Sequence, residues 1–121
     1  MLLPLALAAC APVAPATDGP ASDVVFARLG ETARLGDITV RPVAVAEDSR
    51  CPRDATCVWA GRLRLRAAIA GVAGEPELTL GEAYRLRSGT LTLVSAMPER
   101  WQDPPPGTEH GPANRFGFRR D

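Results

Sequence analysis

One stretch of eight residues restricts the fold of this chain more than any other. In residues 62–69 (RLRLRAAI) the side chains of Leu63, Leu65, Ala67 and Ile69 alternate with three arginines and an alanine. Successive side chains of a β-strand point to opposite faces, so strict alternation is typical of a strand with one buried face. The stretch therefore predicts a strand that is buried on one side and solvated on the other.

Other short runs follow the same pattern, and turn residues separate them. The 12 prolines and 11 glycines among 121 residues favour turns and short strands over long helices. Pro42 interrupts the alternation of residues 38–45, which predicts an edge strand or a bulge. Further strands are expected at residues 24–26, 75–80, 90–96 and 115–119, with a long loop over 98–113. We predict an all-β fold over residues 24–121: a single antiparallel β-sandwich, immunoglobulin-like or a small barrel, with one local disulfide.

The N-terminal residues carry a processing signal. An apolar run ends in Leu7-Ala8-Ala9-Cys10, which resembles the lipobox of bacterial lipoproteins. The resemblance implies that residues 1–9 are a lipoprotein signal peptide and that Cys10 carries the lipid. No basic residue precedes the run, so we expect the signal peptide to be truncated at its N-terminus; an ordinary secretory signal is the alternative. The run is too short to span a bilayer, which takes about 20 residues.

Residues 10–23 then form a flexible tether, because small residues and prolines cannot bury enough surface to fold. The expected location is the cell envelope, on the periplasmic side of a membrane, with the outer membrane favoured. The expected partners are the membrane itself, through the lipid on Cys10, and an unidentified envelope protein.

The cysteine count agrees with export. With Cys10 lipidated, Cys51 and Cys57 remain, and a pair of cysteines in an oxidising compartment predicts one disulfide. A metal site would have to use these two cysteines with Asp48 and the single histidine, His110. The Cys-x5-Cys spacing differs from that of structural zinc sites, so we predict no metal.

Residues 47–61 (EDSRCPRDATCVWAG) are the most distinctive segment of the chain. They resemble a group of small, uncharacterised bacterial lipoproteins with a DSRCP…CVWAG signature. This resemblance implies the fold and the location, and it implies no activity.

Two interpretations of this segment stay open. In the structural one, Trp59 packs against the disulfide and Gly61 marks a bulge or a close approach of two backbones. In the functional one, a rigid loop recognises a partner through Asp48, Arg50, Arg53 and Trp59, since a cross-linked loop loses little entropy on binding.

The remaining polar residues predict no enzyme. Basic and acidic residues balance at 14 each, which gives no attraction to nucleic acid. Neither a nucleophile elbow nor a phosphate-binding loop is present. His110 can be drawn as a triad with Ser95 and Asp103, but a solvated loop histidine is the simpler interpretation. We therefore predict no catalytic residues and no cofactor.

Two surface features have a plain and a functional interpretation. Arg62, Arg64 and Arg66 can bind anionic lipids, or they can form a solvent face paired with residues such as Glu75 and Glu77. Trp101 can anchor a partner or cover the end of the sandwich.

The sequence thus predicts a lipid-anchored, non-enzymatic structural or interaction module of the cell envelope. The alternative is a periplasmic inhibitor or ligand-binding lipoprotein that uses residues 48–61.

Overall fold

A computed structural model describes residues 18–19 and 23–121 of the chain. Within these residues the fold is all-β, with nine strands and no helix. The strands are β1 (Asp18–Gly19), β2 (Val25–Arg28), β3 (Ala33–Leu35), β4 (Ile38–Asp48), β5 (Leu63–Ile69), β6 (Glu77–Thr79), β7 (Ala83–Leu86), β8 (Gly89–Met97) and β9 (Arg115–Arg120). The predicted signal peptide and Cys10 lie outside the described residues.

The strands form two separate sheets, which confirms the predicted antiparallel sandwich. The first sheet has the order β1-β3-β4-β5-β6 and the second the order β2-β9-β8-β7. Every pairing is antiparallel except that of β1, a two-residue strand that pairs in parallel with β3. The strand β1 lies within residues 10–23, where the sequence predicts a tether.

The core lies between the sheets, and β5 supplies its face as predicted. Leu63, Leu65 and Ala67 are fully buried, and Ile69 is nearly so. The opposite sheet contributes mainly two phenylalanines of β9 and two leucines of β8, namely Phe116, Phe118, Leu91 and Leu93. Complete burial of one such apolar side chain contributes about 1.5–3 kcal/mol, so this face accounts for much of the stability.

Pro42 marks a bulge, as predicted, but β4 is not the edge strand offered as the alternative. The β4–β5 register shifts between Pro42 and Ala44. The pairing of β4 with β3 ends at Val40, so Pro42 lies beyond that ladder and its missing N–H leaves the ladder intact. Its carbonyl accepts a hydrogen bond from the Gly30 N–H at 2.8 Å.

The two ends of the sandwich differ. At one end lie the loop of residues 49–62 between β4 and β5, here called the disulfide loop, and the loop of residues 98–114 between β8 and β9. At the other end lie the tight β3–β4 and β7–β8 turns and the β5–β6 connection. We call these the loop end and the cleft end.

Candidate functional site: the disulfide loop

A disulfide and a short ladder of backbone hydrogen bonds close the disulfide loop. Cys51 and Cys57 are bonded, with their Cα atoms 5.9 Å apart, as the sequence predicts. The Ser49 N–H donates to the Arg62 carbonyl at 2.8 Å, and the Cys51 N–H donates to the Ala60 carbonyl at 3.2 Å. The loop therefore continues the β4–β5 pairing outward before the ring begins.

Gly61 permits this closure, because the backbones approach each other very closely there. Its φ is +69°, and a Cβ at this position would lie 1.8 Å from the Ser49 carbonyl oxygen. Only glycine has no Cβ to clash at such a distance. The close approach predicted for Gly61 is confirmed.

Arg50 ties the loop to the sandwich. Its Nε and Nη2 donate to the two carboxylate oxygens of Asp48 at 2.8 and 2.9 Å. Its Nη1 donates to the Ala96 carbonyl at 3.0 Å, and its Nη2 also reaches the Pro98 carbonyl at 3.1 Å. Every guanidinium nitrogen of Arg50 is therefore engaged within the protein.

The exposure of this pair fits a structural role. The Arg50 side chain is 14% exposed and that of Asp48 is 20% exposed. Of the four residues named from the sequence for an interaction loop, these two hold the loop in place instead of facing solvent.

A second set of bonds joins the disulfide loop to the 98–114 loop. Arg100 donates from Nη1 to the carbonyls of Asp48 and Arg50 at 3.2 and 3.0 Å. The carboxylate of Asp54 accepts the backbone N–H groups of Gln102 and Asp103 at 2.7 and 2.8 Å. The two loops thus form one unit, although nearly 50 residues separate their sequences.

Arg53 lies on the surface of this unit. It forms an ion pair with Glu99, and its guanidinium carbon lies 5.8 Å from the centre of the Trp101 ring. A cation over an aromatic ring at this distance is attracted to the ring face. Trp101 is half-buried and lies beside Arg53 at the loop end, a position that is compatible with both interpretations of this residue.

Hydrogen bonds to the carboxylates of Asp54 and Asp48 favour the ionised form of both side chains. The two backbone N–H groups of Gln102 and Asp103 lower the pKa of Asp54 below its usual value. Burial disfavours the ionised form of Asp48, but hydrogen bonds from Arg50 and its charge outweigh that effect, and the pKa of Asp48 is also lowered. Both side chains therefore remain anionic acceptors at neutral pH.

Two neighbouring apolar residues of the disulfide loop, Val58 and Trp59, are exposed to solvent, and together they are called its tip. Val58 is 92% exposed and Trp59 is 83% exposed, the two most exposed large apolar side chains among the described residues. The prediction that Trp59 packs against the disulfide is wrong. Trp59 lies between Cys57 and Ala60, beyond the last hydrogen bond of the ladder, and its high exposure leaves little of the indole ring in contact with the protein.

The arginine row of β5 forms ion pairs, as the plain interpretation predicts. Arg64 lies 3.3 Å from Glu77, and Arg66 lies 3.2 Å from Glu75. Arg62 and Arg64 also contact Glu47 at 2.8 and 3.1 Å. The hydrogen bond from Arg62, with the positive charges of both arginines, lowers the pKa of Glu47. These arginines lie on a surface of mixed charge.

The structure does not assemble the drawn triad. His110 is exposed, and its Nδ1 donates to the Thr108 carbonyl at 2.9 Å. No hydrogen bond joins it to Ser95 or Asp103, all three being described residues. Within residues 18–19 and 23–121, no three His, Cys, Asp or Glu side chains are grouped as a metal would require. The same part of the chain contains no helix that is long and apolar enough to cross a membrane.

Comparison with known proteins transfers no activity to this chain. No protein-family model matches it, and neither the curated proteins nor the solved structures contain a significant match.

Proposed function

We propose that this chain is a lipid-anchored protein of the cell envelope, held at the periplasmic side of a membrane through Cys10. In this proposal it acts without catalysis, as an interaction module that contacts an envelope partner through the tip of the disulfide loop. One observation carries the proposal: Val58 and Trp59 are almost fully exposed on a loop that the disulfide and the hydrogen bonds of Arg50 and Arg100 hold in place.

The physical argument concerns the free energy of binding. An exposed tryptophan offers a large apolar area, and tryptophan is enriched among the residues that dominate protein interfaces. A loop already held in one conformation loses less entropy on association than a flexible one. The disulfide, the Gly61 contact and the Arg50 and Arg100 hydrogen bonds therefore support binding at the tip while taking no direct part in it.

Site-specific photocrosslinking tests the interaction. A photoreactive residue at position 58 should give a discrete crosslinked product in intact cells. The same residue at position 41, exposed on β4, should give none. Removing the disulfide with C51S/C57S should lower the yield of the crosslinked product, because the tip loses its fixed position. Identical patterns from positions 58 and 41 would contradict the proposed contact surface.

The anchor is tested separately. Expression of the full-length chain with labelled palmitate should label the wild-type protein and leave the C10A variant unlabelled. An unlabelled wild type would remove the lipid anchor from the proposal and leave the interaction surface to be judged by crosslinking alone.

The geometry of the loop also supports the alternative, a periplasmic inhibitor. A rigid projecting loop with an apolar tip can enter the cleft of a hydrolase and stay bound because it is already ordered. Lysozymes and secreted proteases should then lose activity at micromolar protein, and W59A should restore it. Unchanged rates across such a panel exclude this alternative for the enzymes tested.

A further inference from the structure

The cleft end of the sandwich holds a cavity of about 480 Å³ that the proposed interaction does not use. Three connections form its walls: the β3–β4 turn, the residues that follow β5, and the β7–β8 hairpin. Small-molecule sites commonly measure about 300–1,000 Å³, so the cavity is of a suitable size for a ligand.

The floor of this cavity is apolar and reaches the core. Ile38 and Ile69 are 2% and 4% exposed. Val72, Tyr84 and Leu86 are partly buried and pack against the core beside them. Such a floor favours an aliphatic or aromatic ligand, because burial of apolar surface supplies most of the affinity of such a site.

The polar groups at the mouth of the cavity are mainly cationic. Asp37, the one carboxylate of the lining, is already paired with Arg120 at 2.8 Å. The other charged lining residues, Arg85 and Arg87, are exposed and form no ion pair with any carboxylate in the part of the chain that is described. In the same described region the Tyr84 hydroxyl has no hydrogen-bond partner.

The Arg120 side chain holds two residues of the cavity lining, Asp37 and Ser88. It pairs with Asp37 and donates from Nη2 to the Ser88 carbonyl, so it joins the turns of the two sheets. Gly36 and Gly89 leave room for it, since a Cβ at either position would lie within 3 Å of its guanidinium. The β3–β4 and β7–β8 turns, which both contribute to the cavity lining, are therefore joined to each other through Arg120.

We infer that this cavity binds a small anionic amphiphile, whose apolar body lies on Ile38, Ile69 and Leu86 and whose carboxylate or phosphate group meets Arg85 and Arg87. Guanidinium groups bind both kinds of anion through paired N–H donors, so the two head groups share one recognition chemistry. This inference does not depend on the contact surface at the loop tip.

The sequence offers an unusually direct probe. Ile38 and Ile69 are the only isoleucines of the chain, and Tyr84 is its only tyrosine. Labelling the isoleucine δ1-methyl groups of the full chain therefore gives two NMR signals, and both report on the cavity.

Octanoate and octyl phosphate are the anionic probes, and 1-octanol is the neutral control of equal chain length. Either anion should shift both methyl signals in a saturable way. R85Q/R87Q should lower the affinity for the anions about tenfold, as expected for the loss of two partly exposed ion pairs. The affinity for octanol should not change. The R41Q variant, which removes an exposed arginine on β4 away from the cavity lining, should behave as the wild type.

A preference for octyl phosphate or for octanoate decides which head group the site favours. Methyl signals that no probe moves would overturn the inference. An equal loss of affinity for the anions and for octanol in R85Q/R87Q would also overturn it. The arginines would then support the shape of the cavity instead of binding the charged head group.

Discussion

The two ends of the sandwich present apolar surface to solvent in opposite ways. At the loop end, a covalent bond, a glycine contact and two arginines fix a long excursion of the chain, and the most exposed large apolar side chains among the described residues lie at its tip. At the cleft end, the turns are short, one arginine joins the sheets, and the apolar surface is concave. In this sandwich a long loop with several internal bonds presents a convex apolar surface, whereas short turns joined by one arginine leave a concave one.

The largest predicted effect concerns backbone contact at the loop end. G61A should lower the free energy of unfolding by about 3 kcal/mol, because the new Cβ cannot coexist with the Ser49 carbonyl and φ is positive. G74A is the matched control: its φ is +73° and nothing lies within 4 Å, so it should cost about 1 kcal/mol. Chemical denaturation measures both. Equal losses would show that the close contact adds nothing to the cost of the backbone conformation.

The next effect separates a partly buried ion pair from an exposed one in the same loop. R50Q should lower the free energy of unfolding by about 2–3 kcal/mol, since Asp48 loses its partner and two carbonyls lose their donors. R53Q removes an ion pair whose partners are 57% and 40% exposed, so about 0.5 kcal/mol is expected. If denaturation midpoints of R50Q and R53Q coincide, the network at the loop end is not what fixes the loop.

The disulfide should contribute somewhat less than the Arg50 network. C51A/C57A should lower the free energy of unfolding by about 2 kcal/mol, as expected for so short a ring. Hydrogen exchange should accelerate in the disulfide loop and remain unchanged at the β7–β8 turn, because the ring is local. Faster exchange at both ends would show that the disulfide supports the whole sandwich.

At the cleft end the contacts of Arg120 should contribute less to stability than those of Arg50. R120Q should lower the free energy of unfolding by about 1 kcal/mol, because the pair with Asp37 is partly exposed. The same variant should broaden the NMR signals of residues that line the cavity. A loss as large as that of R50Q would overturn the contrast between the two ends.

The smallest effect is a dependence on pH. The folded state lowers the pKa of Asp54, so its stabilising effect is present above the unfolded pKa of about 4 and disappears as the pH falls through the folded value. D54N should therefore be less stable than the wild type at pH 7, and the difference should shrink towards pH 2. A difference that stays constant over this range would mean that the charge of Asp54 is not what the Gln102 and Asp103 N–H groups require.

The sequence predicts the sheets better than it predicts the loop end. Alternation in residues 62–69 identifies β5 because a strand with one buried face has a period of two residues. The sequence does not predict β3 or β7: Ala33–Leu35 and Ala83–Leu86 are short runs in which an arginine separates apolar residues, next to turn residues. The close approach at Gly61 is predicted because a glycine at a strand end often marks a bulge or a close backbone contact.

The Arg50 network has no signal in the sequence. Its carbonyl acceptors lie 46 and 48 positions away, and carbonyl groups are the same at every residue. Trp59 was placed wrongly for a related reason: composition shows that a tryptophan lies near a disulfide, but the hydrogen bonds of the backbone decide which way it points. The cavity at the cleft end was likewise hidden, because three separate connections form it.

The lengths of the strands have a consequence for molecules held close together on one surface. The longest described strands, β4 with 11 residues and β8 with 9, lie inside their sheets. The outermost strands, β1, β6, β2 and β7, have only 2, 3, 4 and 4 residues. An outer strand aggregates with a neighbouring copy only if it offers a long row of free backbone donors and acceptors. Short outer strands also leave part of a long neighbour uncovered: β3 pairs with β4 only from Ile38 to Val40, so the backbone of residues 43–48 has no partner among the described strands on that side. The two register shifts of β4, between Pro42 and Ala44 and between Val45 and Glu47, interrupt this edge, and such irregularities limit the pairing of sheets between crowded copies.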